Sequence, residues 1–117
     1  MIIYIKGDAT DPKTKGNKIL VHSCNNIGRW GKGFVMEVSK KWKEPEIEYK
    51  KIKDYKLGDV QIIKVQDDLY VANLIGQDGI GIPYKQRVNY NAIEKGFATI
   101  NDYCKDKNDY SIHMPNL

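Results

Sequence analysis

Residues 21–35 read Val21-His22-Ser23-Cys24-Asn25-Asn26-Ile27-Gly28-Arg29-Trp30-Gly31-Lys32-Gly33-Phe34-Val35. The apolar residues just before this stretch predict a buried parallel strand, and the apolar residues after it recur at helical spacing. The glycines at positions 31 and 33 therefore fall at a predicted helix N-terminus, where free backbone N–H groups and the helix dipole favour a phosphate. Glycine has no Cβ, so the main chain can approach a ligand closely there. The stretch predicts an anion site.

The spacing from Gly28 to Lys32 excludes a Walker-type phosphate loop, because no Ser or Thr follows the lysine to meet a metal ion. The glycines do not have the spacing of the dinucleotide fingerprint either. A merely structural tight turn is the alternative interpretation of such a loop. Ligand binding is favoured by the polar residues His22, Ser23, Asn25 and Asn26, because open α/β sheets bind ligands at the carboxyl ends of their strands.

A chain of 117 residues predicts one domain. Cys24 and Cys104 match no zinc or redox spacing, so we expect reduced thiols in a cytoplasmic protein. The apolar start is too short for a signal peptide or a membrane span. The net charge of +4 suits an anionic partner. The lysines of residues 40–53 alternate with glutamates, which favours a solvated helix face over a specific nucleic-acid surface.

The remaining pattern alternates strands and helices and predicts an α/β fold. Asp67 and Asp68 separate two apolar runs and predict an antiparallel hairpin. Asn91 and Glu94 resemble a capping box at the start of a helix. Strands are predicted over residues 2–6, 18–22, 60–66, 69–75 and 110–114, and helices from about 32 to 44, 46 to 55 and 91 to 103. The first strand is apolar enough to be expected at the centre of the sheet.

Four side chains have two interpretations each. Asp8 either caps a turn or accepts a hydrogen bond from an exocyclic amino group. His22 points either into a pocket or into the core, and His113 is more often structural than catalytic in such a position. Trp30 either covers a bound ligand or packs on its own loop.

Five motifs, taken in order, resemble the macro domain family. They are Gly7-Asp8-Ala9-Thr10, residues 21–25, residues 30–35, Val71-Ala72-Asn73-Leu74-Ile75-Gly76-Gln77 and Ile112-His113-Met114-Pro115. Within the family the chain is most similar to the small ADP-ribose-1''-phosphate phosphatases of yeast and bacteriophages. It is also similar to the branch of the terminal ADP-ribose glycohydrolase. The resemblance implies a three-layer α/β/α sandwich with a mixed sheet whose crevice holds ADP-ribose.

The resemblance also assigns residues to the ligand. Asp8, with Gly7 and Ala9 beside it, would bind the adenine, and Ser23, Cys24 and Asn25 would line the distal ribose. The diphosphate would lie on the backbone of Trp30, Gly31, Lys32, Gly33, Phe34 and Val35.

The chain departs from the family pattern in two ways that matter for function. In the family, the strand that ends in Met-Pro is followed by a second glycine-rich loop, a helix and a last strand. This chain ends at Leu117, before these elements, so we expect a single macro domain that is truncated at its C-terminus. Gln77 aligns near the nucleophilic lysine of the glycohydrolase branch, and an amide cannot form the corresponding adduct.

The predicted reaction is hydrolysis of the terminal phosphate of ADP-ribose-1''-phosphate. Asn25 would position the distal ribose and phosphate, and His22 would donate a proton or activate water if its ring reaches the pocket. No metal and no cofactor are predicted. Two alternatives stay open: an ADP-ribose reader without turnover, and a hydrolase that removes ADP-ribose from modified protein or nucleic acid. The expected partners are ADP-ribose, ADP-ribose-1''-phosphate and ADP-ribosylated macromolecules.

Overall fold

The structure, a computed structural model, describes residues 2–4, 16–31, 33–79, 88–105, 107 and 109–115. Its elements in chain order are β1 (Ile2–Tyr4), β2 (Asn17–Asn25), α1 (Phe34–Lys41), α2 (Glu44–Lys50), β3 (Val60–Gln66), β4 (Leu69–Gln77), α3 (Tyr90–Cys104) and β5 (Tyr110–Met114).

The five strands form one mixed sheet in the order β1-β5-β2-β4-β3. Only β3 and β4 pair antiparallel among the described strands, as the predicted hairpin requires. Strand β1 pairs with β5 at one end of this order, so the expectation that the first strand is central was wrong. Strands β2 and β4 are parallel neighbours, and their register brings Asn25 opposite Gln77. The loops that follow these two strands therefore start side by side.

The sheet lies between two helical layers, as the predicted three-layer sandwich requires. Leu20 and Cys24 of β2 belong to a buried cluster with α1 and α2. Ile19 and Val21, which alternate with them, belong to a second cluster that contains Ile100 of α3. Alternate residues of a strand point to opposite faces, so β2 is buried on both sides.

Several element boundaries differ from the prediction, among them the ends of α1 at Lys41, of α2 at Lys50 and of β4 at Gln77, which were expected near 44, 55 and 75. Strand β2 continues to Asn25, three residues beyond the predicted end. Helix α2 begins at Glu44, with Pro45 in its first turn, where the preceding helix was expected to end. A proline at the start of a helix leaves no hydrogen bond unmade, because the first N–H groups of a helix have no partner within it.

Helix α3 confirms the predicted helix but not its cap. The side chain of Asn89 caps the helix by accepting a hydrogen bond from the backbone N–H of Ala92, 2.9 Å away. The capping residue is therefore two positions before the predicted Asn91. Ile100 of the predicted apolar stripe is fully buried. The described helices include none with the length and apolar character needed to span a bilayer.

Candidate functional site

The side chain of Asn25 builds the turn at the end of β2. Its Oδ1 accepts hydrogen bonds from the backbone N–H groups of Ile27 (3.1 Å) and Arg29 (3.0 Å) and from the hydroxyl of Tyr49 (2.8 Å). Its Nδ2 donates to the carbonyl of Arg29 at 2.6 Å. The register of the sheet shifts between Cys24 and Asn25, which frees Asn25 for this turn. Asn25 therefore organises the chain that leads into the glycines.

A group of backbone amides follows this turn, which we call the amide cradle: the N–H groups of Trp30, Gly31, Gly33, Phe34 and Val35. No described residue accepts a hydrogen bond from any of them. Apart from the neighbouring residues in the chain, no atom of the described residues would lie within 4 Å of a Cβ built on Gly31 or Gly33, so the described structure leaves both open. The amides of Gly33, Phe34 and Val35 lie at the start of α1, where the helix dipole favours an anion, and those of Trp30 and Gly31 precede it in the chain. These amides are free to donate to an anion, and the anion site itself stays a prediction.

Gly33 has a conformation that only glycine adopts readily, with φ 80° and ψ −147°. It directly precedes α1, and no side chain caps this helix. The unusual backbone of Gly33 therefore sets the direction in which the chain enters the helix.

The side chain of Trp30 packs into the core beneath the loop, a position that neither of its two interpretations, covering a ligand or packing on its own loop, had predicted. Its indole N–H donates to the hydroxyl of Ser39 (2.7 Å), which donates to Glu46 (2.9 Å). The indole also meets the ring of His22 edge-on, with 5.3 Å between the ring centroids. Trp30 ties the loop to α1 and α2, so only its backbone remains for a ligand.

Phe34 and Val35 pack in the same way. Val35 is buried in the cluster beneath α1, and Phe34 packs partly buried against it. A ligand at the cradle would therefore meet their amides rather than their side chains.

His22 lies in the core, the other of its two predicted positions, with 2% of its surface exposed. Its Nε2 is 2.6 Å from Oδ1 of Asn73. The Nδ2 of Asn73 donates to the carbonyl of Pro45 and to Oε1 of Gln61, so Oδ1 must accept and Nε2 must carry the proton. Burial lowers the pKa of His22 to about 4. The ring is neutral at pH 7 and does not reach the surface. Its predicted catalytic role required the ring to reach the pocket, and this condition is not met.

His113 of β5 is buried as well, and its Nε2 lies 2.7 Å from the hydroxyl of Ser111. Burial, followed by the charge of Lys18, lowers the pKa of His113. The structural interpretation of His113 fits this position.

The side chains of Ser23 and Cys24 point to opposite faces of the sheet. Cys24 is 2% exposed, and burial raises the pKa of its thiol. The hydroxyl of Ser23 is buried without a hydrogen-bond partner among the described residues, close to Gly76. The two side chains therefore do not line one pocket with Asn25, contrary to the arrangement that the family resemblance implied.

The other predicted ligand residues cannot be placed. Gly7, Asp8, Ala9 and Lys32 lie outside the described residues. Their roles stay predictions.

The loops after β2 and β4 are joined through Asn26. Its Nδ2 donates to Asp78 at 3.1 Å, and its Oδ1 accepts from the backbone N–H of Gly79 at 2.9 Å. Its own N–H donates to the carbonyl of Gln77. These contacts hold the turn beside the end of β4.

Sequence reasoning missed a buried polar network under this turn. Asn73 links His22 to Gln61 and to the first turn of α2, and it is completely buried. The signal was present, since an asparagine interrupts the apolar run from Val71 to Ile75. A buried amide of this kind must find partners on neighbouring elements.

A cavity of about 290 Å³ lies away from the cradle, between the start of β3 and α3. Tyr55, Gly58 and Lys95 are among its lining residues. The cradle is therefore identified by its amide geometry and not by an enclosed cavity. Within the described parts of the chain, no three His, Cys, Asp or Glu side chains lie together in a way that would hold a metal ion.

No protein-family model matches the chain. A solved structure of a macrodomain protein from Streptomyces coelicolor is 38% identical, with a TM-score of 0.86, over 100% of this chain and 79% of that one. A crystal structure of a protein from Bacteroides thetaiotaomicron is 42% identical, with a TM-score of 0.87, over 98% of this chain and 78% of that one.

Among curated proteins, a 48-residue segment is 38% identical to the ADP-ribose 1''-phosphate phosphatase of Saccharomyces cerevisiae. This match spans 41% of the chain and only 27% of the yeast protein. The whole-chain structural similarity and its level of identity show that the chain belongs to the macro domain family.

Proposed function

We propose that this macro domain binds ADP-ribose and hydrolyses the terminal phosphate of ADP-ribose-1''-phosphate. The observation that carries the binding proposal is the amide cradle, whose N–H groups have no acceptor in the described structure. The hydrolytic part is supported by the segment shared with the yeast phosphatase, which covers 27% of that protein.

The diphosphate of ADP-ribose is the part of the ligand that fits the cradle. Its oxygens accept hydrogen bonds, and the cradle offers several amide donors without an acceptor among the described residues, close to the positive end of α1. Arg29 is exposed beside the cradle and adds a positive charge. By the family resemblance alone, Asp8, with Gly7 and Ala9, would bind the adenine.

Asn25 is the described residue best placed to meet the distal ribose. Its Oδ1 already accepts from three donors, so it has no free lone pair for the ligand. Its Nδ2 carries two hydrogens, and the described residues supply one acceptor, the carbonyl of Arg29. The second hydrogen is available to a ribose hydroxyl or to the terminal phosphate.

In the proposed reaction a water oxygen attacks the terminal phosphorus, and the bond from phosphorus to the ribose oxygen breaks. The ribose oxygen takes up a proton, and inorganic phosphate leaves. His22 is too buried to donate that proton directly, and its pKa is lowered. The described residues therefore support catalysis by positioning and by charge, with Asn25 orienting the substrate and Arg29 offsetting charge on the phosphate. Phosphate release from ADP-ribose-1''-phosphate tests the proposal, and unchanged release by Asn25→Ala would show that Asn25 has no such role.

A second candidate is a reader that binds ADP-ribose, free or attached to macromolecules, without turnover. The position of His22 in the core favours it, because the pocket then lacks that acid or base. A calorimetric titration that shows binding, together with no phosphate release, identifies the reader. Release of ADP-ribose from a modified protein would instead identify a hydrolase that removes ADP-ribose. Gln77 argues against this alternative, because an amide cannot form the adduct that the lysine of the glycohydrolase branch forms.

Substitution of Gly33 tests the cradle directly. Gly33→Ala is expected to weaken ADP-ribose binding at least tenfold, because alanine disfavours this backbone conformation by roughly 1–3 kcal/mol and the amides would turn away. Calorimetric titration measures the change.

Gly31→Ala is the matched control for Gly33→Ala. Gly31 is not among the glycines with positive φ, and an added Cβ would meet no atom of the described residues within 4 Å other than its chain neighbours. We expect it to keep the stability of the natural chain, so any loss of affinity reports contact with the ligand. If Gly33→Ala binds ADP-ribose as tightly as the natural chain, the cradle is not the phosphate site.

A further inference from the structure

The buried hydroxyl of Tyr49 contacts the residue from which the turn starts. Tyr49 belongs to α2 and is completely buried. Its hydroxyl oxygen is 2.7 Å from the carbonyl oxygen of Asn25 and 2.8 Å from Oδ1 of the same residue. Both partners are acceptors, so the tyrosine O–H donates to them. Helix α2 thereby holds both the backbone and the side chain of Asn25.

Aromatic contacts fix the ring of Tyr49 on two sides. Trp30 lies 5.3 Å away and Tyr55 5.0 Å away, measured between ring centroids. Tyr55 also packs against the turn, since a Cβ at Gly28 would come within 3.2 Å of its ring. Burial raises the pKa of Tyr49, which keeps its hydroxyl protonated and able to donate. The turn therefore rests on the ring of Tyr49 from α2, which is packed between Trp30 and Tyr55.

We propose that Tyr49 is a positioning residue of the anion site, which sets the direction of the cradle amides by holding Asn25. It acts through Asn25 and does not touch the ligand. This inference rests on the proposed function, because the ligand on the cradle is the diphosphate of ADP-ribose.

Two matched variants test the inference. Tyr49→Phe and Tyr55→Phe each remove one hydroxyl from the same aromatic cluster, but the hydroxyl of Tyr55 donates to the backbone of Tyr49 at 3.0 Å and not to the turn. In calorimetric titrations with ADP-ribose, Tyr49→Phe is expected to bind about tenfold more weakly and Tyr55→Phe within about twofold of the natural chain. Equal affinities of the two variants overturn the proposal.

Hydrogen exchange supplies a readout that needs no ligand. The amides of Ile27 and Arg29 donate to Asn25, so they report how firmly its side chain is held. We expect their exchange to be about tenfold faster in Tyr49→Phe and unchanged in Tyr55→Phe. Failure of the natural chain to bind ADP-ribose defeats the proposed function, whereas unchanged exchange in Tyr49→Phe defeats the role of Tyr49.

If Tyr49→Phe does not fold, p-aminophenylalanine at position 49 replaces it in both measurements. Its amine keeps a donor at the same place, so exchange and affinity should match the natural chain. A folded amino variant that has lost affinity for ADP-ribose would overturn the proposal.

Discussion

Asn25→Ala is expected to lower the free energy of unfolding by about 4 kcal/mol and to abolish ADP-ribose binding at concentrations that saturate the natural chain. The substitution removes four hydrogen bonds, made with the N–H groups of Ile27 and Arg29, the carbonyl of Arg29 and the hydroxyl of Tyr49. Each contributes about 1 kcal/mol, and the partners that stay buried lose their solvation as well. Denaturant unfolding and calorimetric titration measure the two effects.

Asn26→Ala is the control for this variant, because Asn26 is the same residue type one position later. It bonds to Asp78 and Gly79 in the loop after β4 and leaves the turn intact. We expect Asn26→Ala to lower the free energy of unfolding by about 1 kcal/mol and to leave the affinity for ADP-ribose nearly unchanged. A stable Asn25→Ala variant, or equal losses of affinity in both variants, would contradict the role given to Asn25.

The fold was predictable because its signals are local. The two aspartates between β3 and β4 identified the hairpin, and the spacing of apolar residues identified α3. The order of the sheet carries no such local signal, and the first strand was placed centrally only because it is apolar. Its true partner, β5, is more than 100 residues away in sequence, so no local pattern reports the pairing.

The candidate site has a backbone signal in the sequence, but the directions of its side chains have none. Glycines before a helix predict amides without an internal acceptor, and the described amides there have no acceptor among the described residues, although binding of an anion to them stays a prediction. The direction of His22 was not predictable, because β2 is covered by helices on both faces and alternation does not tell a pocket from a core. The side chains of Ser23 and Cys24 point to opposite faces of the sheet because of the same alternation.

The role of Asn25 shows why a polar residue at a strand end is ambiguous. Asparagine bonds its own backbone a few residues on, and this local bonding is typical of turns. The sequence Asn-Asn-Ile-Gly fits that structural role as well as it fits ligand binding. Here the two roles coincide, since the turn that Asn25 builds is the one that leads into the amide cradle.

Acidification is expected to destabilise this protein through His22. Burial lowers the pKa of the His22 ring to about 4, from the ordinary value of 6.5 for an exposed histidine. Between these two pH values the unfolded chain binds a proton at His22 that the folded chain does not bind. The contribution of neutral His22 to the free energy of unfolding is therefore fully present above pH 6.5 and is lost as the pH falls towards 4. At about 1.4 kcal/mol per pH unit, the loss is about 3 kcal/mol. His113, whose pKa is also lowered, acts in the same direction.

His22→Gln isolates this contribution, because glutamine does not titrate and its side-chain N–H can donate to Asn73 in place of the imidazole. Denaturant unfolding between pH 7 and pH 4 should show a fall in stability for the natural chain that is about 3 kcal/mol larger than the fall for the variant. NMR titration of the His22 ring should show a midpoint well below 6. Parallel pH profiles for the two proteins, or an ordinary midpoint near 6.5, would mean that His22 is open to water, and its candidacy as the proton donor of the proposed reaction would then be restored.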